Sequence, residues 1–161
     1  MWAQGGEHHG DPTGPDRPPS DGGARDRPYH LALLAEVYAQ GGQTTAGLEA
    51  LAEALVTLPQ SGARWWEAEL YRLRGALLLQ HAGAQPGEAE ACFQQALAVA
   101  RRQEAKSLEL RAAMSLAHLW QQQGKRHEAH DLLAPVYGWF TEGFDTADLQ
   151  DAQALLEELT G

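Results

Sequence analysis

A single cysteine, Cys92, stands in a chain of 161 residues, so no intrachain disulfide can form. Nowhere does the sequence reach the roughly 18 consecutive apolar residues of a membrane-spanning helix. The N-terminus lacks the apolar core of a signal peptide, and a cytoplasmic protein with no membrane partner is the expectation. Basic residues are scarce, with 12 Lys and Arg against 22 Asp and Glu and a formal net charge of −10. A nucleic-acid footprint is basic, so that class of partner is not expected. No glycine loop followed by Lys and Ser or Thr is present to cradle a phosphate. No Ser/His/Asp arrangement is readable, and Glu157 and Glu158 are sequence neighbours that point apart on a helix. Neither an enzyme nor a cofactor is expected.

Hydrophobic residues make up 43% of the chain, and Leu and Ala dominate them, which suits helix. The length fits about one domain. The clearest unit is the stretch from Arg111 to Val136. In it Leu116, Ala117, Trp120, Gly124, Ala129, Leu133 and Val136 describe two helices and a tight turn. Ala113, Leu116, Ala117 and Trp120 share one helical face. Gly124 is a C-cap glycine, and Ala117 and Ala129 are small enough for the two backbones to approach closely. Such a unit cannot bury both its faces alone, so repetition is expected. Leu34, Ala35, Tyr38, Gly42, Gly47, Leu51 and Ala54 repeat the same offsets upstream, and Gly75, Leu78, Ala89, Phe93 and Ala96 form a looser copy between. The inward small residues Gly47, Ala89 and Ala129 are 42 and 40 residues apart.

Residues 1–29 hold five of the eight prolines and six of the seventeen glycines, with almost no aliphatic side chains, and are expected to be disordered. Helices are predicted over about 30–41, 44–58, 63–81, from 86 or 87, 107–123, 125–140 and 146–159. The repeats fall at about 30–60, 64–103 and 107–141. The stripe of the first helix is Leu31, Leu34, Ala35 and Tyr38. Leu78 and Leu79 widen the stripe of the third, so that helix is expected to be buried on two sides. Arg72 and Arg74 there are within helical reach of Glu69 and Glu67. Ser107 is a plausible N-cap for the fifth helix, and Asp145 or Thr146 for the seventh. Pro135 should kink the sixth or split off its last turn. The seventh helix belongs to a segment with six acids and no bases, and reads as the polar cap that an array needs at its end.

Few residues could carry chemistry. His8 and His9 are adjacent without further ligands. His127 and His130 share a helix face with Glu128 and Asp131 nearby, but the spacing is not that of a zincin, and exposed polar residues are the plainer reading. Cys92 lies on an apolar stripe between Ala89 and Phe93, as a small buried hydrophobe does.

These offsets resemble the tetratricopeptide-repeat pattern, although those repeats have a period of about 34 residues and the copies here are longer. The third copy matches best. The second departs, with its two helices out of phase and Arg74 where an aliphatic residue is usual. The segments RWWEAELYRLRGALLL, EAEACFQQALAVARRQEAKSLELRAAMSLAHLW and DLLAPVYGWFTEGFDTADLQDAQALLEEL also resemble the C-terminal repeat region of large bacterial regulators, the predicted ATPases and adenylate-cyclase-type signalling proteins of the STAND class. The resemblance covers about residues 30–161. It implies an all-α fold, a right-handed superhelix of about three antiparallel helix hairpins with a C-terminal capping helix. The first helix of each pair then lines the concave side. The groove positions fall on Glu36 and Ala39, on Glu69 and Arg72, and on Arg111, Met114, His118 and Gln121. Arg72 and Arg111 could there hold a carboxylate by bidentate hydrogen bonds. The plain alternative is that these are solvated helix faces. Two functions follow: a non-catalytic module that binds a peptide or partner helix in bacterial signalling or transcriptional regulation, or the truncated regulatory arm of a larger NTPase or cyclase-type protein with no activity of its own.

The register makes Trp120 and Ala129 packing residues. Trp120→Ala is expected to cost roughly 3–5 kcal/mol as a large-to-small core change, and Ala129→Leu roughly 1–3 kcal/mol by overpacking. Thermal melts unchanged in both variants would refute this register.

Overall fold

Leu- and Ala-rich segments punctuated by glycine build seven α-helices in the computed structural model, which describes residues 27–81, 83 and 85–161. They are α1 (Arg27–Gln40), α2 (Thr44–Thr57), α3 (Glu67–Gln80), α4 (Pro86–Arg102), α5 (Lys106–Gln122), α6 (Arg126–Gly138) and α7 (Ala147–Thr160). No strand occurs among the described residues. The helices pair as α1 with α2, α3 with α4 and α5 with α6, and α7 closes on α6. Between pairs α2 packs on α3 and α4 on α5, and the first helices α1, α3, α5 and α7 also touch in succession.

The turns after α1, α4 and α5 share one stereochemistry. Gly42 and Gly124 adopt φ of +77° and +83°. At Gly124 the N–H donates to the Gln121 carbonyl, and the Lys125 N–H to the Trp120 carbonyl at 2.8 Å. This is the Schellman closure, and glycine occupies the left-handed position without Cβ strain. The end of α4 makes the same closure, with Glu104 N–H to Arg101 and Ala105 N–H to Ala100, but a glutamate stands at φ +54°. At helix N-termini, the Thr146 Oγ1 accepts from the Leu149 N–H, and Gln85 with Glu88 forms a capping box on α4. Ser107 lies inside the first turn of α5, whose cap position is Ala105, so the expected serine cap is not made.

Close helix contact depends on small residues. A Cβ at Gly75 would stand 2.6 Å from Phe93 Cε1 and 3.1 Å from the Ala89 carbonyl oxygen. Ala35, Ala54, Ala117 and Ala129 are fully buried, while Trp120 is only half-buried and its indole N–H finds no partner. That places the expected loss for Trp120→Ala at the bottom of its range. The core falls into two clusters, one from α1 to the start of α5 and one from α4 to α7, with Tyr71 packed against both.

Several expectations need correction. The sequence predicts a disordered leader over residues 1–29. Residues 1–26 lie outside the described residues, whereas 27–29 open α1, with Pro28 buried and Tyr29 against Trp65 and Trp66. The third helix does not begin at 63. Arg64–Trp66 form a separate 3₁₀ turn in which the two tryptophan rings pack on each other and on Tyr29, and Trp66 leaves helical dihedrals (φ −102°, ψ 4°) before α3 starts. Leu34 and Leu79 are exposed rather than inward. α1 turns Leu31, Ala32 and Ala35 inward instead, leaving Leu33, Leu34 and Val37 open to solvent on a face that no described helix covers. Pro135 lies inside α6, which continues to Gly138.

Opposite outcomes are expected at two backbone positions. Gly75→Ala gains about 1 kcal/mol of helix propensity but drives its Cβ into Phe93, an overpacking loss of roughly 1–3 kcal/mol that wins. Glu104→Gly relieves a left-handed residue and is expected to stabilise by roughly 1 kcal/mol. Urea unfolding midpoints check both signs.

Candidate functional site

The first helices of the pairs bring their outward polar faces together along one side. α1 contributes Glu36, α3 Glu69 and Arg72, α5 Arg111, Met114, Ser115 and His118, and α7 Asp148, Asp151 and Glu158. They line a cleft of about 480 Å³. Of the eight groove residues expected from the sequence, the structure gathers Glu36, Glu69, Arg72, Arg111, Met114 and His118 here, and Ala39 is not among the lining. Gln121 lies beyond the lining, and its Nε2 donates to Glu158 Oε1 at 3.1 Å. The three carboxylates of α7 escaped sequence reasoning, because that helix reads as a polar cap. The signal was present: Asp148, Asp151, Leu155 and Glu158 follow helical spacing, and the rule that places first helices on this side extends to α7.

The centre of the cleft is an ion-paired cluster. Glu69 is 2% exposed. A buried carboxylate without partners would be strongly destabilising, and Glu69 has two. Arg72 grips it as a fork, Nε to Oε1 at 2.9 Å and one terminal nitrogen to Oε2 at 2.6 Å. Arg111 donates to the same Oε2 at 3.1 Å and, through Nε, to Asp148 Oδ2 at 2.9 Å. The cluster thus joins α3, α5 and α7. Burial pushes the Arg72 guanidinium down, but its hydrogen bond to Glu69 and the charges of Glu69, Glu36 and Asp148 outweigh this and leave it above its ordinary value. Arg111 follows the same pattern, with burial opposed by Glu69 and Asp148. Both arginines are therefore engaged by carboxylates of their own chain.

Other charged groups fasten helices. Arg101 and Arg102, adjacent at the end of α4, reach in opposite directions. Arg101 Nε donates to Glu109 of α5 at 3.0 Å, and Arg102 lies 3.9 Å from Glu67 of α3. Burial raises the Cys92 thiol above its ordinary range, and Arg74, 3.8 Å from its sulfur, opposes the shift. A thiol of raised pKa is a poor nucleophile at neutral pH. His127 Nε2 stands 3.1 Å and His130 Nδ1 3.6 Å from the carboxylate of Asp131. Among the described residues no group of three or more His, Cys, Asp and Glu could hold a metal ion. His8 and His9 lie outside the described residues. No helix among the described residues is long and apolar enough to cross a membrane.

No protein-family model, curated protein or solved structure matches the chain.

Removal of the Glu69 charge would leave two guanidiniums facing each other across a half-buried site. Glu69→Gln is expected to destabilise by about 3 kcal/mol, the low end for a broken buried pair because both arginines are partly solvated. Glu109→Gln, whose partners Arg101 and Lys106 are more exposed, is expected to cost about 1 kcal/mol. Urea titrations of the two variants check the ranking.

Proposed function

We propose that this chain is a non-catalytic interaction module of tetratricopeptide-like, superhelical build that binds a peptide or a partner's helix on its concave face. The observation that carries the reading is the cleft, where polar side chains from α1, α3, α5 and α7 converge around one thioether, Met114, and one exposed imidazole, His118. A rigid floor supports this role, because the Glu69 cluster fixes the lining side chains and less entropy is lost on binding. Stacked hairpins that expose the first helix of each pair suit recognition of an extended or helical segment. Bacterial signalling or transcriptional regulation is the setting that the resemblance to STAND-class regulators suggests.

A second reading is favoured by a different surface. Leu33, Leu34 and Val37 on α1 and Val56 on α2 are exposed, Val37 to 62% and Val56 to 74%. A further helical hairpin packed on this end would cover them. The chain would then act as a regulatory arm of a larger NTPase or cyclase-type protein.

Peptide selection from a phage-displayed library against the immobilised chain tests the first reading. Selected peptides are expected to lose about tenfold in affinity when Met114→Trp and His118→Trp fill the cleft, with the melt unchanged. Peptides insensitive to both substitutions, or failure of any to emerge, would refute the concave face as a binding site.

A further inference from the structure

We infer that the partner of the cleft is a basic peptide segment carrying one large apolar side chain, with its cations along the cleft and its apolar residue seated in an adjoining cavity. This rests on the reading of the cleft as a binding face and names the chemistry that fits it. Five carboxylates and two guanidiniums line the cleft. Arg72 is bonded to Glu69, and Arg111 to Glu69 and Asp148. Glu36, Asp151 and Glu158 remain, and among the described residues no cationic side chain is bonded to their carboxylates. Arg126 reaches the main-chain oxygen of Glu158 instead. An acidic partner would add charge of the sign already in excess, while a basic one would offset it. The net charge of −10 attracts cations to the chain as a whole, and the carboxylates without a cationic partner are what make the cleft a place for them.

The anchor site lies beside the cleft. A cavity of about 790 Å³ opens between the start of α5 and the connection from α6 to α7. Leu110, Phe140 and Leu149 give it an apolar lining, and Glu142 and Asp145 stand at it with no cationic partner among the described residues. Its volume falls within the range of about 300–1,000 Å³ usual for ligand pockets, ample for an aromatic or branched side chain. Trp139, 56% exposed, also lines it. Exposed tryptophan beside an apolar recess is the composition of an interface hot spot. Lys106 Nζ lies 5.2 Å from the Trp139 ring centroid, so this indole already attracts an ammonium from its own chain. Lys106 is not among the residues that line the cavity. Asp148 lines both cavity and cleft, so the two are neighbours and one segment can enter both.

Fluorescence anisotropy of the full chain with three fluorescein-labelled peptides of equal length tests this. One is lysine-rich with a central Phe, one has lysine and serine only, and one is glutamate-rich with a central Phe. The lysine–Phe peptide is expected to bind in a saturable, salt-sensitive way. The lysine–serine peptide should bind about tenfold more weakly, and the glutamate peptide should not saturate. The triple variant Glu36→Gln, Asp151→Asn, Glu158→Gln should weaken both lysine peptides. A control of equal charge change on remote exposed sites, Glu49→Gln, Glu104→Gln, Glu128→Gln, should weaken neither. Trp139→Ala should bring the lysine–Phe peptide to the level of the lysine–serine one and leave the latter unchanged. Equal weakening by both triple variants would reduce the effect to net charge and overturn the inference, as would a lysine–Phe peptide indifferent to Trp139→Ala. Tighter binding of the glutamate peptide, blocked by His118→Trp, would overturn the basic partner while the binding face stands. No saturable binding by any of the three would overturn both.

Discussion

A carboxylate taken out of water is the constraint around which the rest of this molecule is arranged. Glu69 is buried on α3, and desolvation on that scale is tolerated only when charge and hydrogen bonds are supplied in return. The supply comes from two neighbours at once. Arg72, one turn along the same helix, is a local partner, while Arg111 and, through it, Asp148 come from α5 and α7. The cluster therefore converts a local ion pair into a tie across three helices. It also sets the electrostatics of the cleft. By engaging both guanidiniums it leaves the carboxylates around them as the surplus, so the sign of the surface is opposite to what a list of its arginines suggests.

Packing elsewhere follows from how closely the helices approach. At the second pair, Phe93 occupies the space that a side chain at position 75 would need, and α3 and α4 come together edge to backbone. The third pair uses alanines at Ala117 and Ala129 with an indole alongside. The second pair also lacks the glycine-ended turn of its neighbours, because His81 is extended (φ −77°, ψ 129°) after α3. These differences account for the poor match of that copy to the other two. From pair to pair the chain changes which residue is small and which is large.

Much of this was legible in the sequence. Leu and Ala at helical spacing, with Gly42 and Gly124 as punctuation, located the helices to within a few residues, since periodicity and left-handed glycine are local signals. Six of the eight groove residues meet in the cleft for the same reason, because their helix faces follow from the register. What escaped was non-local. Leu34 has the right spacing for a core residue, but burial needs a helix on that side and none of the described ones is there. Trp65 and Trp66 read as helix, yet their mutual packing against Tyr29 holds a 3₁₀ turn. The pairing of Arg111 with residues 42 and 37 positions away in the chain depends on three helices being assembled first. Glu104 shows the converse limit: a left-handed position occupied by an ordinary residue leaves no mark in the sequence.

The main contacts of each described helix are with the helices next to it and the one after. Native contacts are thus mostly between segments close in the chain. The loop-closure entropy that slows proteins with distant strand pairing is small here. A chain so arranged has no obligatory long-range step in its assembly. Either end can organise first and template the other, so the rate of folding should respond more to the propensity of individual helices than to any one contact between remote residues.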